Sequence, residues 1–138
     1  MKIEIAFVDT NLFLRFLTND VPSQADQVEA LLHRAAHGKV ELVTTTLVIA
    51  EIVWTLESYY GLSKKEIGAK ILAILNTPGL KIIESDLILQ AASWYAEKNV
   101  DFIDAYNAVW MLKHDLVKAY TFDTKHFNRF EGISAQTP

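Results

Sequence analysis

No cysteine occurs among the 138 residues, which rules out disulfides and zinc held by thiolates. Such a composition suits a reducing interior, and the cytoplasm is the expected compartment. Cations are outnumbered as well. Thirteen Lys and Arg face 17 Asp and Glu, for a net charge of -4. That balance argues against a broad basic face that grips nucleic acid through its phosphates alone, and any such substrate needs metal cations or a local basic patch.

Long apolar runs are also lacking. The most apolar region, "LVTTTLVIAEIVWTL", carries Glu51 in its middle and falls short of the roughly 18 continuous apolar residues that a membrane span needs. A soluble protein with no membrane association is expected. The amino terminus, "MKIEIAFVDT", reaches Glu4 and Asp9 without the apolar core or the small-residue cleavage site of a signal peptide. The three prolines, Pro22, Pro78 and Pro138, lie at boundaries of periodic segments, and no repeat, low-complexity tract or long linker interrupts the chain. One domain spanning 1–138 is expected.

What is present is apolar residue in quantity, 51% of the chain, enough for one sizeable core. The run "IEIAFV" at 3–8 reads as a strand ended by Asp9, and "NLFLRFL" after it has helical spacing. A second helix starts after Pro22 and stops at Gly38, and "VELVT" reads as a strand. Thr45 or Thr46 caps a long helix ending near Gly61, and Ser63 caps another to about Leu75. After the "NTPG" turn, "LKII" is a short strand. Ser85 or Asp86 then opens a helix to about Lys98, and "VDFIDAYNAVW" begins the next, to about His114. "LVKAYTF" is a strand ending at Asp123, "TKHFNRF" a short helical or irregular turn, and "GIS" a last edge strand. Strands alternating with helices predict an α/β fold, with a central, mostly parallel five-stranded sheet flanked by helices on both faces.

In an open parallel sheet, function gathers at the carboxyl ends of the strands. Asp9 follows the first strand and Asp123 follows "KAYTF"; Asp104 lies in the first turn of the helix preceding that strand. Each has a structural alternative: Asp9 can cap a helix, Asp101 can be an N-cap, Asp104 can favour a helix dipole, and Asp123 can start an Asx-turn. Glu51 differs, being a lone charge among bulky apolar neighbours, where a buried carboxylate is costly without a partner. Its alternative is an exposed edge of the helix. Clustered carboxylates raise one another's proton affinity, and a divalent cation removes that conflict. Hard oxygen donors favour Mg²⁺ or Mn²⁺ over zinc, and the chemistry implied is metal-assisted phosphodiester hydrolysis.

Four segments, "FVDTNLFLRFL", "TTTLVIAEIVWTL", "DFIDAYNAVW" and "AYTFDTKHF", occur in that order. In order and spacing they closely resemble the PIN-domain ribonucleases, particularly the VapC-type toxins of toxin-antitoxin pairs. The resemblance covers nearly the whole chain and implies a metal-dependent endoribonuclease with RNA as substrate. It implies that Asp9, Glu51, Asp104 and Asp123 hold Mg²⁺ or Mn²⁺, that Asn11 and Thr121 orient those acids, and that Asp101 is an N-cap with an auxiliary role open to it. It further implies a homodimer and an antitoxin partner whose carboxyl-terminal segment lies across the acidic site. Exposed Leu or Phe around Phe13 and Phe16 would suit both contacts.

A second reading is a non-enzymatic, receiver-like phospho-acceptor domain, also a small α/β protein with acids and magnesium at strand ends. It requires an acidic doublet after the first strand and a phosphorylated Asp after a central strand, whereas here those places read "FVDTN" and "KIIES"; only Lys125 suits its late lysine. Among other residues, Arg15 is the candidate for a substrate phosphate. Lys64, Lys65 and Lys70 read as a solvated face. His33 and His37 suit a helix carboxyl end better than a metal site. Trp54, Trp94 and Trp110 read as core.

Overall fold

The computed structural model describes residues 2–138; Met1 of the expected domain lies outside the described residues. The chain divides into two compact units, one running through Ser85 and one from Asp86 to Pro138.

The first unit is built on three parallel strands in the order β1-β2-β3: β1 (Glu4–Phe7), β2 (Val40–Thr44) and β3 (Leu80–Ile82). In the central strand β2, Val40, Leu42 and Thr44 are buried and the residues between them half-buried. Register pairs Ala6 with Leu42 and Leu42 with Leu80. Helices α1 (Thr10–Thr18) and α2 (Pro22–Ala36) connect β1 to β2, and α3 (Thr46–Ser58) and α4 (Lys64–Leu75) connect β2 to β3. Local chemistry sets their starts. Pro22 opens α2, where its missing N–H is no loss. The Thr45 hydroxyl accepts from Val48 N at 3.3 Å to start α3. Ser63 and Glu66 form a reciprocal capping box at α4: Glu66 N donates to Ser63 Oγ at 3.2 Å and Ser63 N donates to Glu66 Oε1 at 3.3 Å. In the turn before β3, Gly79 has φ +81, and a Cβ there would run into the Ala35 carbonyl of α2. Only glycine fits.

The second unit holds α5 (Ser85–Lys98, whose first residue closes the first unit), α6 (Phe102–Lys113), β4 (Lys118–Tyr120), α7 (Thr124–Phe127) and β5 (Ser134–Gln136). β4 and β5 pair in parallel, Ala119 opposite Ala135. Tyr95, Phe102, Ala105, Ala108 and Phe130 are buried here, with Tyr95 edge-on to Phe102.

The five expected strands all occur, but not in the one expected sheet: the described residues pair as a three-stranded and a two-stranded sheet. β4 is shorter than the run "LVKAYTF", and β5 begins where "GIS" ends. The reason is the ladder itself. Ser134 N donates to the Val117 carbonyl and Thr121 N to that of Gln136, so pairing opposite Ser134 to Gln136, not β-propensity, sets the length of both strands. No helix among the described residues is long and apolar enough to cross a membrane.

Candidate active site

Parallel pairing puts the carboxyl ends of β1 and β2 on one edge of the first unit. Asp9 stands there, exposed, and caps α1 by accepting from Leu12 N at 3.1 Å through Oδ1. Its second oxygen plays no part in that bond. Asn11 is exposed in the first turn of the same helix. Glu51 lies in the second turn of α3, the helix that follows β2. It is exposed, contrary to what its apolar flanks suggest, because those flanks are partly exposed themselves: Leu47, four residues before it, is 81% exposed and Trp54, three after it, 67%. The helix presents an apolar stripe outward with one carboxylate in its middle. Trp54 is thus no core residue, nor is Trp110, at 40% exposure; Trp94 is half-buried against Phe130. Phe13 is buried and Phe16 exposed, so only the latter is available to a partner.

Arg15 is already engaged. Its Nε donates to Gln24 Oε1 at 2.8 Å, and its Nη1 lies 3.4 Å from Asp20 Oδ1. Arg15, Gln24 and Asn11 line a cleft of about 330 Å³ between α1 and α2. His33 and His37 stack with ring centroids 4.2 Å apart at the end of α2, where His37 Nδ1 meets the His33 carbonyl oxygen at 2.8 Å. This is the helix-end arrangement their position implies.

In the second unit Asp104 feels two other acids. Asp101 occupies the N-cap position of α6, but its side chain makes no capping hydrogen bond. Asp104, one turn on, is half-buried. Burial pushes its carboxyl above the ordinary carboxylate range, the negative charges of Asp101 and Asp123 push it further, and only His126 acts in the other direction. Asp123 is held low, chiefly by its hydrogen bond with His126. Its backbone N–H donates to Thr121 Oγ1 at 2.9 Å, its Oδ1 accepts from His126 N at 3.4 Å, and its Oδ2 meets His126 Nδ1 at 2.7 Å. Asp104, Asn107, Thr121 and Phe127 line a cleft of about 410 Å³.

The structure therefore brings Asp104 into the field of Asp101 and Asp123, with Thr121 and His126 fastening the last. Asp9 and Glu51 belong to the first unit. Among the described residues no three His, Asp or Glu stand together as a complete metal cluster. The Asp104 and Asp123 pair nevertheless fits a hard divalent cation by its donor chemistry: both are carboxylates, their charges repel, and magnesium is commonly held by one or two carboxylates with water completing its shell. His126 was missed as a site residue in the sequence. The signal was there, a histidine three residues after an N-capping aspartate, a spacing that faces side chains together in a helical first turn.

A family model for the PIN domain matches residues 6–133, a span that contains all four candidate acids. The chain belongs to the PIN domain family. Two solved structures are similar to this PIN domain at a distance. One is VapBC2 from Rickettsia felis, bound to a DNA fragment from its promoter: 14% identity, 97% of this chain and 98% of that one covered, TM-score 0.40. The other is VapC20 of Mycobacterium tuberculosis, a toxin cleaving the Sarcin-Ricin loop: 20% identity, 90% and 94% covered, TM-score 0.39. No curated protein matches.

Proposed function

We propose that this PIN domain is a metal-dependent endoribonuclease acting as the toxin of a type II toxin-antitoxin pair, with residues 1–138 as a single functional domain. The observation that carries the reading is the PIN family match, which spans every candidate acid, among them the half-buried Asp104, held above its ordinary range by burial first and then by Asp101 and Asp123. Carboxylates near one another disfavour joint ionisation, and a divalent cation offsets that cost.

In this reading Asp9, Glu51, Asp104 and Asp123 hold Mg²⁺ or Mn²⁺. Bound there, the cation lowers the pKa of water and neutralises charge developing on the scissile phosphate. The chain's residues do the rest. Asp9 keeps one oxygen on Leu12 N and offers the other. Thr121 fixes the backbone at Asp123. Asn11 orients Asp9 from the same helical turn, and Asp101 has an auxiliary role, its carboxylate not being spent on a cap. Arg15 remains the candidate for a substrate phosphate, and meeting RNA would require it to exchange its Asp20 contact for the phosphate.

The proposed partners are RNA, an antitoxin and a second copy of this chain. The outward stripe of Leu47 and Trp54, with Phe16, is apolar surface suited to protein contacts. Sedimentation at micromolar concentration should show a dimer, and monomer alone would count against it. The decisive experiment is cleavage of RNA by the purified chain with Mg²⁺ or Mn²⁺, in chelator, and after Asp9→Asn or Asp104→Asn. Cleavage should require the cation and both acids. Cleavage that persists in chelator, or in both variants, would overturn the reading.

A further inference from the structure

The imidazole of His126 makes a hydrogen bond that capping does not account for. Asp123 is the N-cap of α7, a helix of four residues, and the cap bond is the one from His126 N to Oδ1, long at 3.4 Å. The side-chain bond, His126 Nδ1 to Oδ2, is far shorter at 2.7 Å. An ionised carboxylate only accepts, so Nδ1 carries the proton of that bond. Both oxygens of Asp123 are thereby tied to one residue, and Thr121 Oγ1 holds the Asp123 N–H from the other side. The two oxygens offer about four acceptor directions; two are used, and the rest remain open. Asp123 is otherwise exposed, and without the imidazole only the long cap bond from His126 N would hold its side chain. The same imidazole also acts on Asp104, in the direction opposite to burial and the two neighbouring acids.

We propose that His126 is a positioning residue of the cation site, holding the Asp123 carboxylate in one orientation so that a divalent cation meets a ligand already set. This rests on the acids being ligands, as proposed above. Hydrogen-bonded partners of ligating carboxylates typically contribute about 10- to 100-fold in metal affinity. The imidazole acts through Asp123 and is assigned no contact with RNA.

The test is Mn²⁺ binding to the full chain by calorimetry, with metal-free melting temperature as the control for folding. His126→Ala should weaken Mn²⁺ binding about tenfold or more while leaving the metal-free melting temperature nearly unchanged. His126→Asn should recover most of the affinity, since its amide nitrogen takes the place of Nδ1. Asp123→Asn separates this proposal from the one beneath it. If Asp123→Asn loses Mn²⁺ and His126→Ala does not, or binds more tightly, the positioning role is overturned and the cation site stands. If neither variant loses Mn²⁺, or the wild-type chain binds none, the cation site falls and the role of His126 with it. Should the Ala variant fail to fold, His126→Asn decides: affinity near wild type supports the proposal, and affinity as poor as that of Asp123→Asn overturns it.

Discussion

The Thr44 hydroxyl donates to the Val8 carbonyl oxygen at 2.7 Å, and both residues are buried. Val8 N meanwhile donates to the Val43 carbonyl at 2.9 Å. The backbone just before Asp9 is thus pinned to the end of the central strand. Thr44→Val keeps the side-chain shape and deletes the donor, depriving a buried acceptor of this partner. A loss of about 1–3 kcal/mol is expected, read from the urea unfolding midpoint. An unchanged midpoint would mean that the bond adds nothing to holding this edge.

Asp20 ties the end of α1 to Tyr60, beyond α3. Tyr60 Oη donates to its Oδ2 at 2.6 Å, Thr18 Oγ1 donates to its Oδ1 at 3.0 Å, and Arg15 lies at 3.4 Å. The Tyr60 bond first, and then Thr18, hold its carboxyl below the usual 3.8. A lowered acid contributes stability above its unfolded pKa and loses it as pH falls through its folded value. Tyr60→Phe should therefore raise the Asp20 titration midpoint in an NMR pH series and lower stability at neutral pH, with the gap to wild type closing in acid. A midpoint that stays put would show the phenol bond to be absent in solution.

For Asp104 the sign is opposite. Burial, then Asp101 and Asp123, raise its carboxyl, so the folded chain binds that proton more tightly than the unfolded one. Its favourable contribution is full below the unfolded pKa and is lost as pH rises through the folded value. At neutral pH the metal-free Asp104→Asn chain should melt at or above the wild-type temperature, with the gap closing in acid. Added Mn²⁺ should raise the wild-type melting temperature more than that of the variant. A large fall in the variant's metal-free melting temperature would make Asp104 a structural acid instead.

Glu51 is exposed on the apolar stripe of α3. Glu51→Gln should therefore change stability by less than about 0.5 kcal/mol. As a proposed ligand it should still lose RNA cleavage, because a neutral amide cannot supply the charge a hard cation needs. Cleavage at the wild-type rate under limiting metal would reduce the ligand set to three aspartates.

The helix starts were legible because their causes are local. Pro22, Thr45 and the Ser63 and Glu66 box act within one turn of the helix they open. Asp123 and His126 are equally local, three residues apart at the start of α7. Asp101 went the other way: position made it a cap, yet its side chain does not bond as one.

The sequence by itself determined the order and type of the elements, the strand-end addresses of Asp9 and Asp123, and the acids that the PIN family match encloses, since periodicity, capping and chain order are written within a few residues of each element. Only the tertiary structure decided that the five strands pair as three and two, that Glu51 and its neighbours Leu47 and Trp54 face outward, and that burial and neighbouring charge act together on Asp104. Strand partnership, exposure and electrostatic field each depend on groups far apart along the chain, and an apolar helix reads the same in sequence whether its stripe meets a core or awaits a partner.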